Sequence, residues 1–209
     1  MMNNDFFEFF LKPVFSKKDS LDVAFCIRNK MYSYSQLYDA VEQIWNVVKD
    51  LPEDLIGLYA TDDIRTYASI IALWSCGKTY IPLNPKQPKE RHIEVIESVG
   101  SHFILSADKK YNIDVESVNM VPTKEVLMDG YSRKESVEFS KVPESTLAYI
   151  IFTSGSTGKP KGVPITRGNV AAFIDSMNHI GLDITKEDKC LQPFDLTFDF
   201  SVSSYVIPL

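Results

Sequence analysis

The chain has 209 residues, 44% of them hydrophobic, with 22 Lys and Arg against 28 Asp and Glu for a net charge of −6. That is enough apolar material for one sizeable α/β domain or two small ones. The acidic balance, and the lack of aromatic residues interleaved with basic clusters, argue against nucleic-acid binding and against electrostatic attachment to a membrane. Cys26, Cys76 and Cys190 are odd in number and far apart, without C-x-x-C or zinc spacing, and read as buried free thiols. The opening MMNND carries no basic segment, and the apolar run 6–14 is broken by Glu8 and Lys12. Neither a signal peptide nor a membrane span is expected, and a cytoplasmic setting follows.

Residues 34–50 place Leu37, Val41, Ile44, Trp45 and Val48 at helical spacing, with Ser35 as the expected cap. A strand is expected over 55–60, then a helix over 64–76 stopped by Gly77. A strand over 79–83 ends at Asn84-Pro85. Pro88 opens a helix that Gly100 closes, and 102–105 form the next strand. This alternation predicts a layered α/β fold, with a mostly parallel sheet flanked by helices. Residues 106–144 are polar and poorly periodic, with one short strand expected near 125–128. Asn169 is the expected cap of a helix over 170–179, and 190–193 begin another strand. The chain closes on an apolar run, 204–209. It reads as a fragment with apolar surface exposed over 202–209 and a tendency to self-associate through that patch.

The densest chemical signal follows the apolar strand 147–152. There Thr153, Ser154, Gly155, Ser156, Thr157, Gly158, Lys159, Pro160, Lys161 and Gly162 succeed one another. Glycines allow a tight turn and close approach to a ligand. Hydroxyls and exposed backbone N–H groups make an anion nest, and Lys159 and Lys161 add positive charge. A polyphosphate needs this combination. It is not a Walker A loop, because Gly158-Lys159 is followed by Pro160, and no G-x-G-x-x-G follows a strand.

The run Phe152-Thr153-Ser154-Gly155-Ser156-Thr157-Gly158-Lys159-Pro160-Lys161-Gly162 resembles the phosphate-binding signature of the AMP-forming adenylating enzymes. These include the acyl-CoA synthetases and the amino-acid adenylation domains of peptide synthetases. Two upstream segments, 32–37 and 77–85, are similar to that family's earlier motifs in order and spacing. One departure is Thr166-Arg167-Gly168-Asn169, where the family commonly has His in place of Arg167. The resemblance implies the first part of the large N-terminal portion of an adenylation domain, residues 1–209. The nucleoside-binding segments and the mobile C-terminal domain lie beyond it. It implies ATP and Mg2+ as cofactors, with Thr153, Ser154, Gly155, Ser156, Thr157, Gly158, Lys159 and Lys161 as the phosphate-binding set. No residue of the chain is assigned covalent catalysis or metal ligation.

Phe198-Asp199-Phe200-Ser201 resembles the segment in which amino-acid adenylation domains, and the similar D-alanine–carrier protein ligases, bind the substrate's α-ammonium. Phe198 and Asp199 are therefore the candidate substrate-binding residues. An Asp among aromatics is costly unless it is paired, and a bound ammonium would repay that cost. Asp199 also reads as a helix cap, and Phe194-Asp195-Leu196-Thr197 is a weaker copy of the pattern. The implied activity is ATP-dependent activation of an amino acid to aminoacyl-AMP and pyrophosphate. Transfer to a carrier-protein phosphopantetheine thiol or CoA would follow. A fatty-acyl or aryl-CoA synthetase is the second reading, in which Asp199 has no amine to meet. A stand-alone phosphate-binding or interaction module is the third. The fragment by itself is expected to be inactive.

Overall fold

The computed structural model of the chain describes residues 5–123, 133, 136–154, 160–182 and 184–209. A π-helical turn, Phe7–Leu11, runs into α1 (Lys12–Ser16). Its Phe6 and Phe10 meet Trp74 edge-on, with ring centres 5.1 and 5.3 Å away. A hairpin of β1 (Val23–Ile27) and β2 (Lys30–Ser33) follows. It turns through Arg28 and Asn29, both at positive φ, the two-residue geometry that matches strand twist. Helix α2 (Tyr34–Val48) starts in a capping box made by Ser33 and Gln36. Ser35, the expected cap, lies inside its first turn.

Six strands form the main sheet in the order β6-β5-β3-β4-β7-β8. They are β3 (Leu55–Tyr59), β4 (Thr79–Leu83), β5 (Phe103–Ser106), β6 (Asn119–Pro122), β7 (Leu147–Ser154) and β8 (Pro160–Thr166). All neighbours run parallel except β7 and β8. Helices α3 (Ile64–Ser75) and α4 (Lys89–Val99) link successive parallel strands. The period of two sorts side chains between the faces. Ile56, Leu58, Tyr80, Tyr149 and Ile151 enter a core shared with α2 and α3. Ile81, Leu83, Ile104 and Ile150 enter a second core with Val95 and Ile96 of α4. At Gly57 an added Cβ would lie 2.7 Å from Ile96 Cδ1, so the missing side chain lets α4 approach β3 closely. The buried Trp74 Nε1 donates to the Ala148 carbonyl at 2.9 Å, tying α3 to β7.

Several expectations need correction. Helix α5 (Arg167–His179) begins three residues early, capped by Thr166, with Asn169 closing the capping box from inside. Strand β8 was hidden by Pro160 and Pro164, which an edge strand tolerates. Residues 190–193 form no strand and pair with no strand of the sheet. The strand expected near 125–128 lies outside the described residues. Cys26 and Cys190 are exposed, and only Cys76 is partly buried. The terminal run is covered rather than open. It folds as α6 (Phe200–Val206), with Val202, Tyr205, Val206 and Leu209 at most 8% exposed. The Leu209 carbonyl accepts from Lys17 Nζ at 2.8 Å and from Tyr34 Oη at 3.1 Å. An apolar patch at 202–209, and self-association through it, are therefore not supported. Exposed aromatics stand just upstream, at Phe194, Phe198 and Phe200. Among the described residues, no helix is long and apolar enough to cross a membrane.

Candidate functional site

In an open parallel sheet, ligands gather beyond the carboxyl ends of the strands, where the connections diverge. Three features converge there. The first is the far end of the β7–β8 hairpin, where Thr153 faces Lys161 and Ser154 faces Pro160 across the ladder. Thr153 and Lys161 are both exposed, and Thr153 Oγ1 donates to the Lys161 carbonyl at 3.4 Å. The segment between the strands carries Gly155, Ser156, Thr157, Gly158 and Lys159. These lie outside the described residues, as does the Ser154 side chain. Gly162 supports the hairpin from below. A Cβ there would meet Ile150 Cγ2 and Phe152 Cζ, each at 3.0 Å, so the Phe152 ring packs across the bare glycine.

The second feature is the connection after β4. His92 Nε2 lies 2.8 Å from the Asn84 carbonyl, and His92 Nδ1 lies 2.7 Å from Tyr111 Oη. A carbonyl only accepts, so Nε2 carries the proton and Nδ1 accepts from Tyr111. Burial holds this imidazole below its ordinary value. Asn84 Nδ2 in turn reaches Thr197 Oγ1 at 3.5 Å.

The third feature is α6. Asp199 caps it, with Oδ1 accepting from the Phe200 N–H at 2.9 Å. The capping role foreseen for Asp199 is thus real. Asp199 is exposed, and no described cation pairs with it. Asp195 differs, because Lys86 Nζ stands 3.4 Å from its carboxylate. Phe194, Phe198 and Phe200 form an open triangle of rings, with centres 5.9 to 6.1 Å apart. The helix is anchored through Tyr205, whose hydroxyl lies 2.8 Å from that of Tyr80 in a fully buried pair. Tyr149 of β7 feels Asp199 directly. Burial, reinforced by the Asp199 charge, pushes its hydroxyl up to about 12. The acid of α6 and strand β7 therefore share one neighbourhood.

Among the described residues, no group of three or more His, Cys, Asp and Glu could hold a metal ion. A hard dication needs oxygen ligands, and magnesium commonly takes many of them from phosphate and water. The exposed hydroxyl of Thr153 and ammonium of Lys161 suit the phosphate side of such a complex.

Sheet order, hairpin and capped helix together define an α/β domain built on a mostly parallel sheet. The chain belongs to the AMP-binding enzyme family, whose sequence profile matches residues 16–209. It is 35% identical over 182 residues to the ferrichrome siderophore peptide synthetase of Mycosarcoma maydis, covering 86% of this chain and 4% of that protein. It is 32% identical over 179 residues to the delta-poly-L-ornithine synthetase of Acinetobacter baumannii, covering 83% and 13% respectively. The chain therefore spans a small part of the curated relatives it matches. Its fold is similar to that of the Klebsiella oxytoca NpsA N-terminal subdomain. There the TM-score is 0.78 at 20% identity, covering 95% of this chain and 52% of that one. The fold of VinN, solved with 3-methylaspartate, is matched at a TM-score of 0.79 and 19% identity, with 95% and 58% coverage.

The sequence foresaw strand β7 and a capping role for Asp199, but neither β8 nor the supports beneath them. Tyr205, Tyr80, His92 and Asn84 bear no motif of their own. Asn84 was legible only as the end of a strand, and the Tyr80–Tyr205 pair joins residues 125 positions apart.

Proposed function

We propose that the protein containing this chain is an ATP-dependent, AMP-forming ligase that activates an amino acid. A substrate carboxylate oxygen attacks the α-phosphorus, the bond to the β-phosphate oxygen breaks, and pyrophosphate leaves. The aminoacyl group then passes to a thiol, with a carrier-protein phosphopantetheine as the favoured acceptor. In this reading Thr153, Ser154, residues 155–159 and Lys161 hold the phosphates, and magnesium offsets their charge when bound. The chain contributes positioning and electrostatic stabilisation rather than a covalent nucleophile.

The observation that carries the amino-acid assignment is the contrast between the two acids. Asp195 already has Lys86, whereas Asp199 has no described cation and stands beside Phe198, near Tyr149 of the phosphate strand. A substrate ammonium would supply the missing charge. Screening ATP–pyrophosphate exchange in the full-length protein against amino acids, fatty acids and aryl acids tests it. Exchange driven by amino acids alone supports the reading. Exchange driven only by acids lacking an amine would replace it with an acyl-CoA synthetase.

A further inference from the structure

Asp199 is carried on an irregular stretch. Residues 190–199 form neither helix nor strand, and Phe194, Asp195, Phe198 and Asp199 are exposed. A stretch of this kind opens readily unless something holds it. Downstream, Tyr205 ties α6 to Tyr80. Upstream, three successive residues are held. Leu196 is buried in the core shared with α2 and α3. On either side of it, the connection after β4 supplies a partner. Lys86 Nζ stands 3.4 Å from the Asp195 carboxylate, and Asn84 Nδ2 reaches Thr197 Oγ1 at 3.5 Å.

Asn84 is aimed by the chain around it. Its Oδ1 accepts from the Lys86 N–H at 2.9 Å. A backbone N–H only donates, so the amide oxygen faces it and the amide nitrogen is left for Thr197. The Asn84 carbonyl is held in turn by the Gln87 N–H at 2.9 Å and by His92 Nε2 at 2.8 Å. One turn therefore presents an amide donor and an ammonium to the two neighbours of a buried leucine. The Lys86 and Asp195 side chains are both solvent-exposed, and an exposed ion pair adds little to global stability. What it can do here is restrain a segment that already has one apolar anchor.

We propose that Asn84 and Lys86 are positioning residues for the amino-acid site, clasping 195–197 so that Asp199 meets the substrate ammonium at a fixed place. The proposal rests on the reading that Asp199 binds that ammonium. Both residues act through Asp199 and neither touches the substrate. Releasing the clasp leaves Asp199 its charge but spreads the positions it takes, so the ammonium is held less well. The phosphate side, on the β7–β8 hairpin, is unaffected.

The test uses the full-length protein and ATP–pyrophosphate exchange, with amino acid and ATP varied in turn. Lys86→Glu and Asp195→Lys each set like charges against one another. Each should raise the KM for the amino acid about three- to tenfold, with the KM for ATP and the Tm little changed. The exchanged pair, Lys86→Glu with Asp195→Lys, should bring that KM back to within about twofold of the unaltered protein. Asn84→Ala should raise it as the single charge variants do; should that variant fail to fold, the charge set decides alone. Hydrogen exchange read by mass spectrometry gives a measure apart from activity. Peptides spanning 194–199 should exchange faster in each single variant and recover in the exchanged pair. Asp199→Ala is measured alongside. If it raises the amino-acid KM while the single charge variants leave it unchanged, the clasp is refuted and the Asp199 reading stands. An exchanged pair that recovers neither KM nor exchange, or equal rises in KM for both substrates, also overturns the clasp. A normal amino-acid KM in Asp199→Ala removes the Asp199 reading and the proposal with it.

Discussion

Tyr205→Phe removes one oxygen from a place where the structure predicts an outsized effect. The hydroxyls of Tyr80 and Tyr205 lie 2.8 Å apart in the core, with Tyr80 at 0% and Tyr205 at 2% exposure. Burial raises both well above the ordinary phenol range, so neither ionises and one donates to the other. Removing one partner strands the other without water. Such a loss costs about 1–3 kcal/mol, whereas removing both can be nearly neutral. For a chain of this size each kcal/mol lowers Tm by roughly 2–4 °C. Tyr205→Phe and Tyr80→Phe should therefore each lower Tm by roughly 2–12 °C, while the double variant should be more stable than the worse single one. Thermal melting followed by circular dichroism gives the Tm of all three, and urea unfolding with a constant m-value licenses the free-energy comparison. Because Tyr205 anchors the helix that Asp199 caps, the singles should also weaken substrate binding in the full-length protein. Two neutral singles, or a double variant as unstable as their sum, would refute the reasoning.

Two further consequences concern the supports of the site. His92 is neutral in the fold and held below its ordinary value of 6.5, so the unfolded chain takes up its proton first as pH falls. Its contribution is fully present above that value and lost below it. The fall in Tm from about pH 7 to about pH 5 should accordingly be smaller in His92→Gln than in the unaltered chain. An equal fall in both would remove His92 from the account. Gly162→Ala sets a Cβ 3.0 Å from Ile150 and Phe152, and overpacking of this kind costs about 1–3 kcal/mol. Thermal melting should show the loss, with NMR shifts at Thr153 and Lys161. An unchanged melt would mean the Phe152 ring moves aside freely.

The parallel sheet was legible because its strands and helices alternate in short, well-punctuated runs. Gly77 and Gly100 end α3 and α4 at positive φ, where the sequence placed those stops. Elements fixed by tertiary partners were not legible. Strand β8 contains two prolines and is defined by its pairing with β7. The β1–β2 hairpin turns on Arg28-Asn29, a pair with weak turn character. At α5 the sequence named Asn169 as the cap, but two polar residues three apart can exchange roles, and Thr166 is the cap. The terminal apolar run appeared to lack a partner because Lys17, Tyr34 and Tyr80 lie far upstream. In the candidate site, the hydroxyl- and lysine-rich run and the acid among aromatics are local features of the sequence. The contrast between Asp195 and Asp199 is not, because it depends on Lys86, 109 positions from Asp195.

The central claim is a division of labour, with phosphate on the β7–β8 hairpin and an amino acid's ammonium on Asp199. Paired substitutions in the full-length protein test it most directly, using amino-acid-dependent ATP–pyrophosphate exchange with each substrate varied in turn. Asp199→Ala should raise the KM for the amino acid roughly tenfold to a hundredfold, the equivalent of losing one charge-assisted contact of about 1.5–3 kcal/mol, with the KM for ATP little changed. Lys161→Ala should do the reverse. Equal effects of both variants on both substrates, or a normal amino-acid KM in Asp199→Ala, would contradict the account.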